Sequence, residues 1–180
     1  MTTTRSWRTT SKNMTESANL RSRLSLGPRR KAREFALLGV YESLINESAD
    51  FAEIDANLLS VITDEGSPVA GCDLSSEDFD HCDQEFYRDI LDGVIKGKGE
   101  LLETLSRHLD RDPQRLSVVE RACLMIGTWE MKNCPQIPYR VVINEAVELC
   151  KVFGADRGYK LVNGVLDKVA SELRPAEHEA

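Results

Sequence analysis

Ile137 to Val169, IPYRVVINEAVELCKVFGADRGYKLVNGVLDKV, is the stretch whose reading decides the fold. Pro138 suits the first turn of a helix, where its missing N–H leaves no bond unmade. Val142, Ala146, Leu149, Cys150 and Phe153 then recur with the period of a helix that has one apolar face. Gly154 stands where that helix should end, and the pattern predicts a left-handed C-cap there. Asp156 is a suitable N-cap for a second helix, whose stripe is Leu161, Val162, Val165, Leu166 and Val169. The Asn163-Gly164 pair reads as structural, with the glycine serving close helix packing and Asn163 bonding locally. The segment is a helical hairpin.

The same periodicity extends toward the N-terminus. Ser117-Val-Val-Glu120 is a capping box opening a helix with Val119, Ala122, Met125, Ile126 and Trp129 inside. Asn133 to Pro138 ends it. A first helix is predicted from Pro28 to about Asn46, with Ala32, Phe35, Ala36, Val40, Leu44 and Ile45 buried, and a second from Phe51 to about Thr63. EGSPVAGCDLSSED is a loop. A third helix is expected from about Glu77 to Ile95, interrupted by Gly97 and Gly99, and Leu101, Leu102, Leu105 and Leu109 mark a short fourth. Asp112-Pro113 breaks the chain again. These patterns predict an all-α protein, a compact bundle of about seven helices with no alternating strand pattern.

At 180 residues the chain suits one domain. No apolar run approaches the roughly 18 residues a membrane span needs. The five cysteines are scattered without a CxxC pair, so reduced thiols are expected and a metal site is not. His81, His108 and His178 lack a nucleophile partner pattern, and no P-loop, GxGxxG or HExxH occurs, which argues against an enzyme and against a cofactor.

The net charge of −7 conceals a division. Residues 1–33 hold nine Lys and Arg against Glu16 alone, giving +8, so −15 remains for residues 34–180. A basic arm on an acidic body is a nucleic-acid-binding pattern, and the body's sign would attract a basic protein. Residues 1–27, with eleven Ser and Thr, read as a disordered arm, dispensable for the fold. Their composition also fits an organelle transit peptide, though a convincing amphipathic helix is lacking. Residues 28–173 are read as the domain and 174–180 as a tail.

Arg29, Arg30, Lys31 and Arg33 crowd the start of a helix, where the macrodipole disfavours positive charge. They are either a solvated charge run or a phosphate-binding cluster, guanidinium being suited to phosphate and to stacking on bases. Tyr41, about two turns beyond, is either a base-stacking platform or a core aromatic with a wet hydroxyl. Phe153 and Lys160 flank the Gly154 turn, where Phe153 is either part of an RNA surface or a cap on the core and Lys160 either a contact or simply exposed, and Arg157 adds a cation there.

The hairpin sequence, with its words PYRVVINEAVELCKVFG and KLVNGVLDK, resembles the C-terminal signature of the NusB family of bacterial transcription antitermination proteins. RRKAREFALLGVYESL resembles that family's arginine-rich motif running into its first helix, and FYRDILDGV and SVVERACLMIGTWEM are also similar to family segments. The likeness covers about Pro28 to Leu173. It implies cytoplasmic binding of a single-stranded boxA-type RNA in ribosomal RNA leader transcripts. It also implies the ribosomal protein NusE and an RNA polymerase antitermination complex as partners, and leaves a homodimer open. RNA contacts are then expected from Arg29, Arg30, Lys31, Arg33, Tyr41, Phe153, Arg157 and Lys160, and protein contacts from Glu120 and Trp129. At Arg157 the chain departs from an acid frequent in the family. Two other readings are an accessory RNA-binding domain like the N-terminal domain of ribosomal RNA cytosine methyltransferases, which is expected only if the chain is a fragment of a longer protein, and a helical adaptor that binds protein alone.

Overall fold

The computed structural model describes residues 27–63 and 74–180, so the basic arm and most of the Ser/Gly-rich loop lie outside the described residues. Within them the chain forms nine α-helices and a 3-10 turn: α1 (Pro28–Ile45), α2 (Phe51–Thr63), α3 (Ser76–His81), α4 (Gln84–Lys96), α5 (Lys98–Ser106), the turn Pro113–Arg115, α6 (Val118–Asn133), α7 (Tyr139–Phe153), α8 (Gly158–Leu173) and α9 (Pro175–His178). No strand occurs among the described residues, and none of their helices is long and apolar enough to cross a membrane.

α1 is the axle. It packs on α2, α3, α4, α6 and α7, so residues 31–37 are all buried rather than presenting one apolar stripe. α6, α7 and α8 pack on one another as a second cluster, and α5 leans on α6. Phe35, Phe79 and Tyr87 meet edge to face at 5.1 and 5.3 Å where α1, α3 and α4 converge. The Tyr87 hydroxyl donates to Asp55 of α2 at 2.8 Å.

The expected third helix is two. A Ser75–Asp78 capping box opens α3, and Cys82 is extended (φ −77°, ψ 164°). Asp83 restarts the chain by accepting the Phe86 N–H. The break is anchored to α1, since the Asp83 N–H donates to the Pro28 carbonyl at 3.1 Å. Pro138 is the N-cap of α7 rather than a residue of its first turn.

Gly154 ends α7 in extended backbone (φ −99°, ψ 178°), not left-handed. What requires glycine there is close approach: a Cβ would lie 2.6 Å from the Cys150 carbonyl oxygen. α8 starts at Gly158 with Arg157 at its N-cap and no side-chain cap bond, so Asp156 does not have the expected role. Gly164 is exposed, with no atom within 4 Å of a built Cβ. It does not serve close packing.

Within the expected tail, residues 174–178 form a docked hook. Arg174 donates to the carbonyls of Met131, Cys134 and Ile137 at 2.8–3.0 Å. Glu177 accepts the first N–H of α7, from Tyr139, at 2.8 Å. Backbone groups that the α6–α7 junction leaves without helical partners are thereby satisfied.

α1 and α4 approach closely at Gly39, where a Cβ would fall 2.7 Å from a methyl of the fully buried Leu91. Gly39→Ala should therefore destabilise the fold by about 1–3 kcal/mol through overpacking, despite alanine's better helix propensity. Urea denaturation checks this; a gain in stability would show that the crossing can relax.

Candidate nucleic-acid and partner interface

The four basic residues at the start of α1 do not act alike. Arg33 is 4% exposed. It donates three bonds of 2.7–3.1 Å to the carboxylate of Glu130 on α6, itself 1% exposed, and lies 3.7 Å from Glu145 on α7. Lys31 is also buried and pairs with Glu34 at 3.0 Å. These two side chains are thus held inside the protein, and burial removes them from the expected phosphate-binding set.

Arg30 and Arg29 reach the surface. Arg30 is gripped on one edge by Glu145, from Nε at 2.9 Å and Nη2 at 2.6 Å, while its side chain keeps 34% exposure. That leaves Nη1 free for another acceptor, a guanidinium having five N–H donors. Arg29 is half exposed, lies 3.4 Å from Asp83 and stacks over the Phe86 ring at 4.9 Å from its centroid.

The carboxylates respond to these cations. Burial pushes the Glu130 carboxyl up from its usual range, against the opposing bonds and charge of Arg33. Burial also opposes ionisation of Glu145, but bonding to Arg30 and the charges of Arg30 and Arg33 outweigh it and hold that carboxyl low. Glu145 is therefore an ionised link between a buried arginine and a surface one.

Tyr41 stands 40% exposed on α1, which makes its ring available as a platform. Phe153 is half-buried and packs against the core. Arg157, the N-cap of α8, and Lys160 in its first turn are exposed, and Lys151 of α7 lies over the Tyr159 ring at 5.1 Å.

The two residues expected to meet a protein partner are on different sides of α6. Glu120 completes the capping box with Ser117 by bonds of 3.0 and 3.2 Å. It also abuts α8, a Cβ at Gly158 falling 2.8 Å from its Oε1. Trp129 is half-buried and lies instead against Gly93 of α4. Nine residues at about 100° each place the two about 180° apart around the helix. They do not form one patch.

The sequence reading missed Glu130 and Glu145. Glu130 follows Ile126 by four residues and so falls beside the apolar stripe read for that helix, which was the signal available. Among the described residues no group of His, Cys, Asp and Glu is arranged to hold a metal ion.

The NusB family model matches residues 30–171. The transcription antitermination protein NusB of Burkholderia lata is 45% identical over 152 residues, spanning 84% of this chain and 94% of the relative. That of Burkholderia ambifaria gives the same figures. NusB of T. maritima superposes with a TM-score of 0.66 at 28% identity, covering 84% of this chain and 96% of that one. A crystal structure of antitermination factors NusB and NusE in complex with dsRNA shares the fold, with a TM-score of 0.63 at 21% identity and coverage of 81% and 97%.

The division between core and surface arginines has a measurable consequence. Arg33→Met strands the Glu130 carboxylate in the interior and should cost about 3–5 kcal/mol, whereas Arg29→Ala should cost less than about 1 kcal/mol. Urea midpoints of the two variants check this; equal costs would contradict the assignment of Arg33 to the core.

Proposed function

The chain belongs to the NusB family, and from that premise we propose that it clamps a single-stranded boxA-type RNA of ribosomal RNA leader transcripts together with the ribosomal protein NusE. Its family is one of transcription antitermination factors, not of enzymes. In this reading it works in the cytoplasm within an antitermination complex on RNA polymerase.

The observation that carries the reading is the pair of surface guanidinium groups at the start of α1, oriented by acids behind them. Arg29 and Arg30 take RNA phosphates, their fixed positions reducing the side-chain ordering that binding requires. Lys31 and Arg33 support the site from beneath. Tyr41 offers an exposed ring to a splayed base, and Arg157 and Lys160 add cations at the α7–α8 turn. Phe153 contributes a half-buried edge beside them. The acidic body meets the basic ribosomal protein through Glu120, on the α8 side of α6.

Arg29→Ala with Arg30→Ala should weaken binding of a boxA-type oligonucleotide. It should also flatten the dependence of log affinity on log salt by about 0.7 for each phosphate of the single strand that is no longer neutralised. Arg33→Met, assayed where it remains folded, should leave that slope unchanged. A slope untouched by the double substitution would overturn the phosphate assignment.

Glu120→Gln keeps a side chain that completes the capping box but removes its charge. Calorimetry with NusE should show several-fold weaker binding at unchanged helix content. Unaltered affinity would confine Glu120 to capping.

A further inference from the structure

Beside the proposed RNA surface the electrostatics reverse. On α4, Glu85, Asp89 and Asp92 follow one another at helical spacing along a groove of about 460 Å3. Trp129 of α6 and Phe86 of α4 also line it. Gly93 lets the indole lie directly on α4, since a Cβ there would sit 2.1 Å from its Nε1. Arg29 lines it too, its guanidinium over Phe86 and 3.4 Å from Asp83. One arginine of the protein thus already occupies this groove by stacking and pairing with a carboxylate. Asp92 takes Lys96 at 2.7 Å, whereas among the described residues Glu85 and Asp89 have no cationic partner.

An acid row alone would gather counter-ions. The aromatic lining adds selection, because a planar, weakly hydrated guanidinium stacks on an indole face at less cost than a strongly hydrated ammonium. Phosphate is repelled from the same row, so an RNA bound at Arg29 does not continue into the groove.

We infer that this groove binds an extended, arginine-bearing segment of a basic protein partner, a guanidinium lying on Trp129 between Glu85 and Asp89 as Arg29 lies on Phe86 beside Asp83. The surface lies on the side of α6 away from Glu120, so it is separate from the contact proposed for NusE. It does not depend on the RNA reading.

The test uses the full chain carrying Trp7→Phe, which leaves Trp129 as the lone tryptophan. The probe is a capped hexa-arginine peptide. Titration should change Trp129 emission saturably, and hexa-lysine should bind at least about fivefold more weakly. Glu85→Gln with Asp89→Asn should lower the affinity about tenfold, while Glu47→Gln with Glu179→Gln, which removes the same charge from exposed positions elsewhere, should change it less than about twofold. No Trp129 response, equal binding of the two peptides, or equal losses in the two charge variants would overturn the proposal. So would much tighter peptide binding on Arg21→Ala with Arg23→Ala, because the chain's own basic arm would then be the occupant.

Discussion

The ion pair of Arg33 and Glu130 is the constraint on which the rest of the arrangement depends. Both side chains are nearly sealed from water, at 5% and 1% exposure. Two charges in such a place are tolerated only with short bonds and good geometry, because each has given up its hydration. Three bonds to one carboxylate meet that condition. They tie the first turns of α1 to the last turns of α6, 97 residues away in sequence. Glu145 then extends the tie to α7 and, through Arg30, to the surface. The orientation of a surface cation is thus inherited from a pair in the core.

This arrangement reconciles a basic cluster with an acidic body. Exposed charges interact over roughly a Debye length, about 10 Å at 0.1 M salt, so the −7 of the whole chain matters less than the few groups near a given ligand atom. Two of the four cations at the start of α1 are neutralised by internal partners. Of the remaining two, Arg29 stands at a border, with Asp83 and the α4 acids on one side. In the proposed reading that border divides an RNA-facing surface from protein-facing ones.

Much of the helical order was legible in the sequence. The starts and ends of α1 and α2, the capping box of α6 and the stripes of α7 and α8 follow from periodicity and cap chemistry, which are local. The failures are of two physical kinds. Cys82-Asp83 is a break that no Gly or Pro marks; it is made by an Asp side chain accepting Phe86 N–H and by a backbone bond to Pro28. Lys31 and Arg33 were read as surface because charge usually is, yet Arg33 shares its face with Ala36 and Leu37, three and four residues on. Its acidic partner is remote in sequence, and only the packing of α1 on all sides brings the two together. Gly154 and Gly164 show the same limit, since what a glycine is for depends on what approaches it.

α6 draws these threads into one element. Its first turn places Glu120 against α8, its fourth turn places Glu130 beneath α1, and Trp129, the residue before, faces α4. Neighbouring residues on a helix diverge by about 100°, so Trp129 and Glu130 cannot serve the same surface. One side chain fixes the arginine platform from within while the adjacent one walls a groove outside. A change of tilt in α6 would therefore be felt at the arginines, at the groove and at the α8 contact together. The buried pair, by resisting such a tilt, keeps all three in fixed relation.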